Sequence, residues 1–264
     1  MFANAPYEYL QKSTDISIII IQSMDSLTNQ ITNAQIPKII HQVWEGRSGE
    51  KPDEILFRLA ETWKNENPDW EYRFWSYKEI DQFLLNNFPE FIEKYNNFRY
   101  DVQRWDAIRY LILLKFGGVY ADLDYECLEP LDWLLGNKSC CLGLDPVEHS
   151  HIFNKPYIIS NAFMAVMPQH PFFKSIISEI NNNHSNAQDK FNYVLETTGP
   201  YMLSNLYESY LNKDQIWLIP SELTSPISKN EVALIVRGIS TDEIAEKIEK
   251  AYAVHYFFGS WYGN

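Results

Sequence analysis

The chain has 264 residues, which is enough for one large α/β domain or two small ones. Hydrophobic residues make up 45% of it and aromatic residues 15%, so it can bury a substantial core and wholesale disorder is not expected. The formal net charge is -13 and no basic run occurs, which argues against a nucleic-acid-binding protein. An anionic ligand such as a diphosphate would therefore need local cations, a divalent metal or arginines, to attract it.

The cysteines and the N-terminal region exclude further classes. Cys127, Cys140 and Cys141 are an odd number without a Cys-x-x-Cys pair, which argues against a disulfide framework and a structural zinc site. The strongest N-terminal apolar run, Ile16 to Ile21, is too short to span a bilayer, and no secretory signal is visible. We therefore expect a cytoplasmic protein without a transmembrane segment, and peripheral membrane contact stays open.

The first third of the chain alternates between strand and helix patterns. Residues 1–35 mix polar and apolar side chains and are predicted to form a helical extension without recognisable chemistry. A strand is predicted at Ile36–Trp44, a helix from Pro52 to about Asn67, and a second strand around Trp70–Phe74. A helix should then begin at Ser76, because Ser76 and a glutamate three residues later form a capping-box pattern.

A longer helix is predicted over Tyr100–Phe116. Five apolar residues at three- and four-residue steps would form one face of it: Val102, Trp105, Ile108, Ile112 and Phe116. Gly117 and Gly118 end this helix, and a short strand over Val119–Tyr125 follows. The remaining predicted strands are Ser139–Leu144, Asn161–Met167, Gln215–Ile219 and Ala251–Phe257, and the remaining helices are Pro171–Asn181, Asp189–Glu196 and Tyr201–Leu211. This alternation predicts one α/β domain with a layered sheet over residues 36–264.

Asp122 and Asp124 are the main candidates for chemistry. On an extended strand their side chains would point the same way, with Leu123 on the opposite face. Two adjacent carboxylates repel each other unless a cation lies near them, and oxygen ligands suit Mg²⁺ or Mn²⁺ with substrate phosphates completing the shell. An Asp-x-Asp pattern alone is a weak signal, but this pair follows an apolar strand. It should therefore lie at the edge where open α/β sheets bind ligands.

Asp106 and Arg109 are three residues apart, so they share a face of the predicted long helix, different from its apolar face. Taken alone they would be read as an ordinary surface ion pair. The double glycine that follows lets the chain turn sharply, which would fold these polar groups back toward the acidic pair.

Two segments together resemble the sugar-binding DXD region of family 32 glycosyltransferases and of the related glucosylating toxins: Trp105–Tyr110 and Gly117–Asp124. Ile36–Trp44 resembles the first strand of that family. Three further segments resemble later blocks of the family and occur in the expected order: Asn161–Met164, Thr198–Pro200, and His255 with Ser260 and Trp261. Residues 1–35 lie outside the resemblance, and Trp105 departs from it because many relatives carry a small residue there.

The resemblance implies a GT-A fold, an α/β nucleotide-sugar-binding sandwich with a mixed central sheet flanked by helices. Asp124 would ligate the metal directly, and Asp122 would contact the ribose or the metal through water. Asp106 would bind donor sugar hydroxyls, and the fork of Arg109 would approach the sugar or the diphosphate. Further donor contacts would come from Gln42, Val43 and Trp44 at the nucleobase, from Tyr120 and Asn161, and from Ser260 and Trp261 closing on the diphosphate, with Ser260 also at the metal. Core packing is the alternative for Tyr120 and Trp44, and His41 is expected to be structural.

The implied activity is retaining transfer of a hexose from a nucleoside-diphosphate sugar, with a UDP-sugar favoured, to a glycan or protein hydroxyl. Mn²⁺ or Mg²⁺ would be the cofactor, and polysaccharide or surface-glycan synthesis the setting. One alternative is a glycosylating effector that modifies a host protein. Others are a metal-dependent phosphohydrolase or nucleotidyltransferase, because clustered aspartates serve those enzymes too, and a non-catalytic carbohydrate-binding module, because aromatic residues are abundant.

Overall fold

The computed structural model of the protein describes residues 35–44 and 51–259. Two predictions lie outside the described residues and stay predictions. They are the helical extension, of which only Gln35 is described, and the contacts of Ser260 and Trp261. Within the described ranges, no helix is long and apolar enough to cross a membrane.

A six-stranded mixed sheet forms the centre of the fold, and a second sheet has two strands. The strands are β1 (Ile39–Trp44), β2 (Glu71–Ser76), β3 (Gly118–Ala121), β4 (Tyr125–Cys127), β5 (Cys140–Leu144), β6 (Ile159–Val166), β7 (Trp217–Ile219) and β8 (Ala253–His255). The large sheet has the order β2-β1-β3-β6-β5-β7, and β4 pairs with β8. Only β6 runs antiparallel to its neighbours in the large sheet, β3 and β5.

The helices of the described residues are Glu54–Glu66, Tyr77–Asn87, Ile92–Asn96, Asp101–Phe116, Leu131–Leu135, Val147–Ile152, Pro171–Asn182, Lys190–Thr197, Pro200–Ser209, Ser221–Thr224, Lys229–Val236 and Asp242–Glu249, with 3₁₀ turns at Pro89–Phe91 and Lys213–Gln215. Every predicted helix in these ranges is present, with ends that differ by a few residues. The capping box is confirmed, because the backbone N–H of Ser76 donates to Glu79 Oε2 over 2.8 Å. Six helices of the described residues were not predicted: Ile92–Asn96, Leu131–Leu135, Val147–Ile152, Ser221–Thr224, Lys229–Val236 and Asp242–Glu249.

Side chains of the central strands alternate between two hydrophobic cores. Val119 of β3 and Phe163 of β6 belong to the core that includes Trp63 of the helix Glu54–Glu66. Tyr120 and Met164, the next residues along these strands, belong to the core on the other side, which contains the helix Asp101–Phe116. The predicted α/β architecture, a mixed central sheet flanked by helices, is confirmed.

The helix Asp101–Phe116 is called the long helix below. The sequence predicts that it is amphipathic, and this prediction is wrong. Residues 106–114 are all buried, whereas Trp105 and Phe116, predicted on the apolar face, are only partly buried. The long helix packs against β3 and β6 on one side and against the helices Pro171–Asn182 and Lys190–Thr197 on another. Because it is covered on several sides, its polar residues Asp106 and Arg109 are buried rather than on the surface.

Gly118 is predicted to be essential for the turn between the long helix and β3. Its φ is +94°, and a Cβ atom there would lie 2.4 Å from the carbonyl oxygen of Ile39. Gly118→Ala should therefore lower the free energy of unfolding, measured by urea denaturation, by about 2–5 kcal/mol. Gly136→Ala is the matched control, because Gly136 also has a positive φ, +49°, but nothing lies within 4 Å of its Cβ position. It should cost only about 1–2 kcal/mol. Equal losses for the two variants would contradict the steric explanation.

Candidate active site

The candidate site lies at one edge of the central sheet. Both β3 and β5 run antiparallel to β6, so their carboxyl ends meet the amino end of β6 at this edge. Asp122 follows β3 directly, and Asn161 lies near the start of β6. The sheet therefore places the acidic segment at the edge where the sequence predicted it, and ligand binding there stays a prediction.

Asp122 and Asp124 lie in a turn, and the predicted strand that continues through Tyr125 is wrong. β3 ends at Ala121, and the backbone N–H of Tyr125 donates to the carbonyl oxygen of Asp122 over 3.1 Å. The physical reason is that β3 and β4 belong to different sheets, so the chain must change direction between them. The two carboxylates nevertheless come together, with ligand atoms of Asp122, Asp124 and His255 all within 4.8 Å of one another.

His255 reaches the acidic turn because β8 pairs with β4, which places it opposite Tyr125. Its Nε2 lies 3.2 Å from Asp124 Oδ1, and its ring stacks on Tyr125 with centroids 4.3 Å apart. The other oxygen of Asp124 accepts a hydrogen bond of 2.9 Å from the backbone N–H of Phe258. Burial raises the pKa of Asp124, but the charge and hydrogen bonds of its partners, His255 first, hold it below its ordinary value. Burial lowers the pKa of His255, but the neighbouring carboxylates, Asp124 first, raise it above its ordinary value.

The donor atoms of this group fit a divalent cation. Two carboxylates offer hard oxygen ligands, and an imidazole nitrogen is a common ligand of divalent first-row metals. The predicted ligands Asp122 and Asp124 are thus joined by His255, which the sequence had treated as nearly uninformative on its own. Only the order of the family blocks could have indicated His255, because its strand partner is far away in the chain.

Arg109 lies between two carboxylates in a buried network. Arg109 is 6% exposed and Asp106 is 4% exposed. The following distances are those of the Arg109 guanidinium group. Its Nη1 lies 3.1 Å from Asp122 Oδ1 and donates to the carbonyl oxygen of Asn161 over 3.0 Å. Its Nη2 lies 3.4 Å from Asp106 Oδ1, and its guanidinium group lies over the ring of Tyr120. The alternative of an ordinary surface ion pair is therefore wrong.

Hydrogen bonds hold the carboxylates of this network in place. Asp106 accepts from Asn161 Nδ2 and from Thr198 Oγ1, each over 2.8 Å. Burial raises the pKa of Asp106, although Arg109 and these hydrogen bonds oppose the shift. Asp122 accepts a hydrogen bond of 2.5 Å from the hydroxyl of Tyr120. Asn161 and Tyr120 thus contact the carboxylates of Asp106 and Asp122, and their contact with a donor stays a prediction. Tyr120 is also buried in the core beside the long helix, as the core-packing alternative expected. The sequence did not single out Thr198 as the partner of Asp106.

The end of β1 adjoins the acidic turn. The side-chain amide of Gln42 donates to the carbonyl oxygen of Asp122 over 3.1 Å and accepts from the hydroxyl of Tyr72 over 2.8 Å. Val43 and Trp44 are partly buried, and Val43 packs against the core of the long helix. Gln42 therefore helps to fix the turn. Contact of these three residues with a nucleobase stays a prediction.

His41 has the structural role that the sequence indicated. It is completely buried, its Nε2 lies 3.0 Å from the carbonyl oxygen of Gly117, and its Nδ1 accepts from the indole N–H of Trp75 over 3.1 Å. Burial lowers the pKa of His41 to about 4, so the ring is neutral at pH 7 and donates its Nε2 proton to Gly117. The three cysteines are buried free thiols, in agreement with the predicted absence of disulfides.

Comparisons with known proteins point to one family. The model of the family described as "Glycosyltransferase sugar-binding region containing DXD motif" matches residues 54–140. Inositol phosphoceramide mannosyltransferase 2 of Schizosaccharomyces pombe is 33% identical over 194 residues, which cover 71% of this chain and 50% of the relative. An uncharacterized glycosyltransferase of Acanthamoeba polyphaga mimivirus is 30% identical over 202 residues, which cover 72% of this chain and 73% of the relative.

The chain spans about half the length of the three inositol phosphoceramide mannosyltransferases of Schizosaccharomyces pombe that it matches. Among solved structures, it is similar to the PaToxG glycosyltransferase with a TM-score of 0.48 and 16% identity, covering 88% of this chain and 96% of that chain. From the matching family model and the relatives at 30% identity or more, the chain belongs to the glycosyltransferases whose sugar-binding region contains a DXD motif.

Proposed function

We propose that this glycosyltransferase transfers mannose from a nucleoside-diphosphate donor to an acceptor hydroxyl, with Mn²⁺ or Mg²⁺ held by Asp122, Asp124 and His255. The observation that carries the proposal is the convergence of these three ligands with the Asp106–Arg109 pair at one sheet edge. Mannose is supported by relatives that are named as mannosyltransferases. We propose residues 36–264 as the catalytic domain.

The difficult step is cleavage of the anomeric C–O bond, because negative charge then develops on the departing diphosphate. A bound divalent cation would supply Lewis-acid stabilisation of that charge. Arg109 has a guanidinium group fixed by Asp106 and Asp122, so one of its N–H groups can be directed at a phosphate oxygen without reorganisation. Asp106, oriented by Asn161 and Thr198, would accept hydrogen bonds from donor sugar hydroxyls.

We propose that transfer retains the anomeric configuration through a same-face reaction. The carboxylates of Asp106, Asp122 and Asp124 all accept hydrogen bonds from groups of the protein, which makes them poor covalent nucleophiles. The leaving diphosphate oxygen would instead accept the proton of the acceptor hydroxyl. A glycosyl adduct trapped on one of these carboxylates, detected by mass spectrometry, would contradict this mechanism.

We propose a hydroxyl of a sugar or polyol headgroup as the acceptor. The relatives' names support this choice, since they include inositol phosphoceramide mannosyltransferases and initiation-specific alpha-1,6-mannosyltransferases. Synthesis of surface glycans or polysaccharides would be the corresponding biological setting. The alternative of an effector acting on a host protein predicts transfer to polypeptide instead.

A donor and acceptor screen tests the proposal. The protein is incubated with GDP-mannose, UDP-glucose or UDP-galactose, in Mn²⁺ or in EDTA. The acceptors are inositol phosphoceramide in detergent micelles, methyl α-mannoside, and a protein extract. We expect release of nucleoside diphosphate in Mn²⁺ and a mannosylated lipid or sugar. Release of sugar 1-phosphate would instead indicate a phosphohydrolase or nucleotidyltransferase, and metal-independent glycan binding without turnover would indicate a binding module.

A further inference from the structure

Asp145 lies at the same sheet edge as the acidic turn, although no family block includes it. It directly follows β5, and its backbone N–H donates to the carbonyl oxygen of Ile158 over 2.9 Å. Leu144, the residue before it, is paired with Ile159 at the start of β6. Asp145 therefore lies beyond the end of β5 as Asp122 lies beyond the end of β3, with β6 between these two strands.

A chain of side-chain contacts connects Asp145 to the three metal-ligand candidates. Its Oδ2 lies 3.9 Å from Nδ1 of His149, and the ring of His149 meets the ring of Phe257 edge-on at 4.7 Å. Phe257 in turn lies against His255 with ring centroids 3.9 Å apart. Asp145 is therefore linked to the candidate metal ligands through the rings of His149 and Phe257 without being one of them.

The carboxylate of Asp145 is largely buried but lacks a strong partner. Its side chain is 15% exposed, and in residues 35–44 and 51–259 no side chain or backbone group hydrogen-bonds to it and no lysine or arginine lies within 4 Å. His149 accepts from the backbone N–H of Lys229 through Nε2, and its Nδ1 lies 3.9 Å from Asp145, which is too far for a hydrogen bond. The following helix has Pro146 at its N-cap and no side-chain capping bond. Such a carboxylate is costly unless a partner from outside the chain satisfies it.

The hydroxyl of Tyr201 is a second unpartnered group in this region, because Tyr201 packs in one small core with Ile158, whose carbonyl oxygen accepts from the backbone N–H of Asp145. Tyr201 is 7% exposed, and its buried oxygen has no hydrogen-bond partner in the part of the chain that the structure describes. Burial, and next the charge of Asp145, raise the pKa of Tyr201 to about 12, so the hydroxyl is protonated and available as a donor. A carboxylate that accepts and a phenol that donates together match neighbouring hydroxyls of a sugar or polyol.

We infer that Asp145 and Tyr201 bind the acceptor, with Asp145 accepting a hydrogen bond from a hydroxyl next to the attacking one. This inference rests on the proposed function. In the reaction the hydroxyl oxygen forms the new bond to the anomeric carbon, and the bond from that carbon to the diphosphate oxygen breaks. The proton of the attacking hydroxyl passes to the leaving diphosphate, and Asp145 takes no part in that transfer. Asp145 and Tyr201 would thus determine which hydroxyl reaches the donor.

The test compares transfer with donor hydrolysis in the same variants. Asp145→Asn and Tyr201→Phe remove one hydrogen-bonding function each, and Glu148→Gln, at an exposed position on the following helix, is the control. The donor is GDP-mannose, and the acceptor probes are methyl α-mannoside and inositol phosphoceramide micelles. For Asp145→Asn we expect kcat/KM of transfer to fall about tenfold or more relative to hydrolysis in the absence of acceptor, with a higher KM for the acceptor. Tyr201→Phe should show a smaller change of the same kind, and Glu148→Gln should match the wild type.

Several outcomes would overturn the inference. The first is transfer at the wild-type rate by Asp145→Asn, and the second is an equal fall of hydrolysis and transfer in that variant. The third is a fall of transfer relative to hydrolysis in Glu148→Gln as large as in Asp145→Asn. If hydrolysis and transfer fall equally, Asp145 acts on the donor sugar, as a nucleophile would, and not on the acceptor. If Asp145→Asn does not fold, judged by its melting temperature, Tyr201→Phe decides the question by the same ratio. Failure of the proposed function is seen separately, in the wild type, as absence of nucleoside diphosphate release.

Discussion

Asp124→Asn is expected to lower the release of nucleoside diphosphate from the donor by about a hundredfold or more. Asparagine keeps the size of the side chain but removes the charge that both His255 and a divalent cation require. It also exchanges an acceptor oxygen for an amide donor next to the backbone N–H of Phe258. The measurement is kcat/KM for the donor at saturating Mn²⁺.

Asp132→Asn is the matched control for this loss of charge. Asp132 is 48% exposed and pairs with Lys38 over 2.8 Å on the surface, away from the acidic turn. We expect this variant to keep wild-type turnover, because surface ion pairs contribute little. Equal turnover for Asp124→Asn and Asp132→Asn would show that Asp124 does not take part in catalysis.

Arg109→Ala should lower the free energy of unfolding by about 3–5 kcal/mol, in addition to lowering activity. The guanidinium group is the cation next to the carboxylates of Asp106 and Asp122. Its removal would leave both buried carboxylates without that positive charge. Arg109→Lys should restore part of this stability but little activity. A single ammonium cannot reach both carboxylates and the carbonyl oxygen of Asn161 in the same geometry. Urea denaturation at pH 8, where the carboxylates are most fully ionised, measures the losses.

Arg58→Ala provides the comparison for Arg109. Arg58 is 73% exposed and pairs with Glu54 one helical turn away, so its removal should cost less than about 1 kcal/mol. If Arg109→Ala loses no more stability than Arg58→Ala, the buried network does not hold the site together.

The order of most strands and of the longer helices through Pro200–Ser209 could be predicted from the sequence because the signals are local. The Ser76 capping box, the double glycine after the long helix and the alternation of Trp70–Phe74 all depend on residues a few positions apart. The helix face shared by Asp106 and Arg109 was predictable for the same reason. Their burial was not predictable, because it depends on helices that cover the long helix from sides that no periodicity reveals.

The geometry of the acidic turn depends on contacts between distant parts of the chain. β4 separates from β3 because it pairs with β8, and this pairing brings His255 to Asp124. A sequence pattern around Asp122 contains no information on that partner strand, so the sequence predicted a straight strand. Similarly, Asp106 is oriented by Thr198, from a segment far along the chain, which the sequence marked only as a family block.

Binding of GDP and UDP, measured by isothermal titration calorimetry with Mn²⁺ or with EDTA, tests the central claim most directly. The claim is that the acidic turn and His255 hold a cation that binds the donor diphosphate. We predict tight binding of one of these nucleotides in Mn²⁺. Removal of the metal, or Asp124→Asn, should weaken that binding by about a hundredfold, which corresponds to about 2.7 kcal/mol. Equal affinity with and without the metal, in both the wild type and the variant, would contradict the claim.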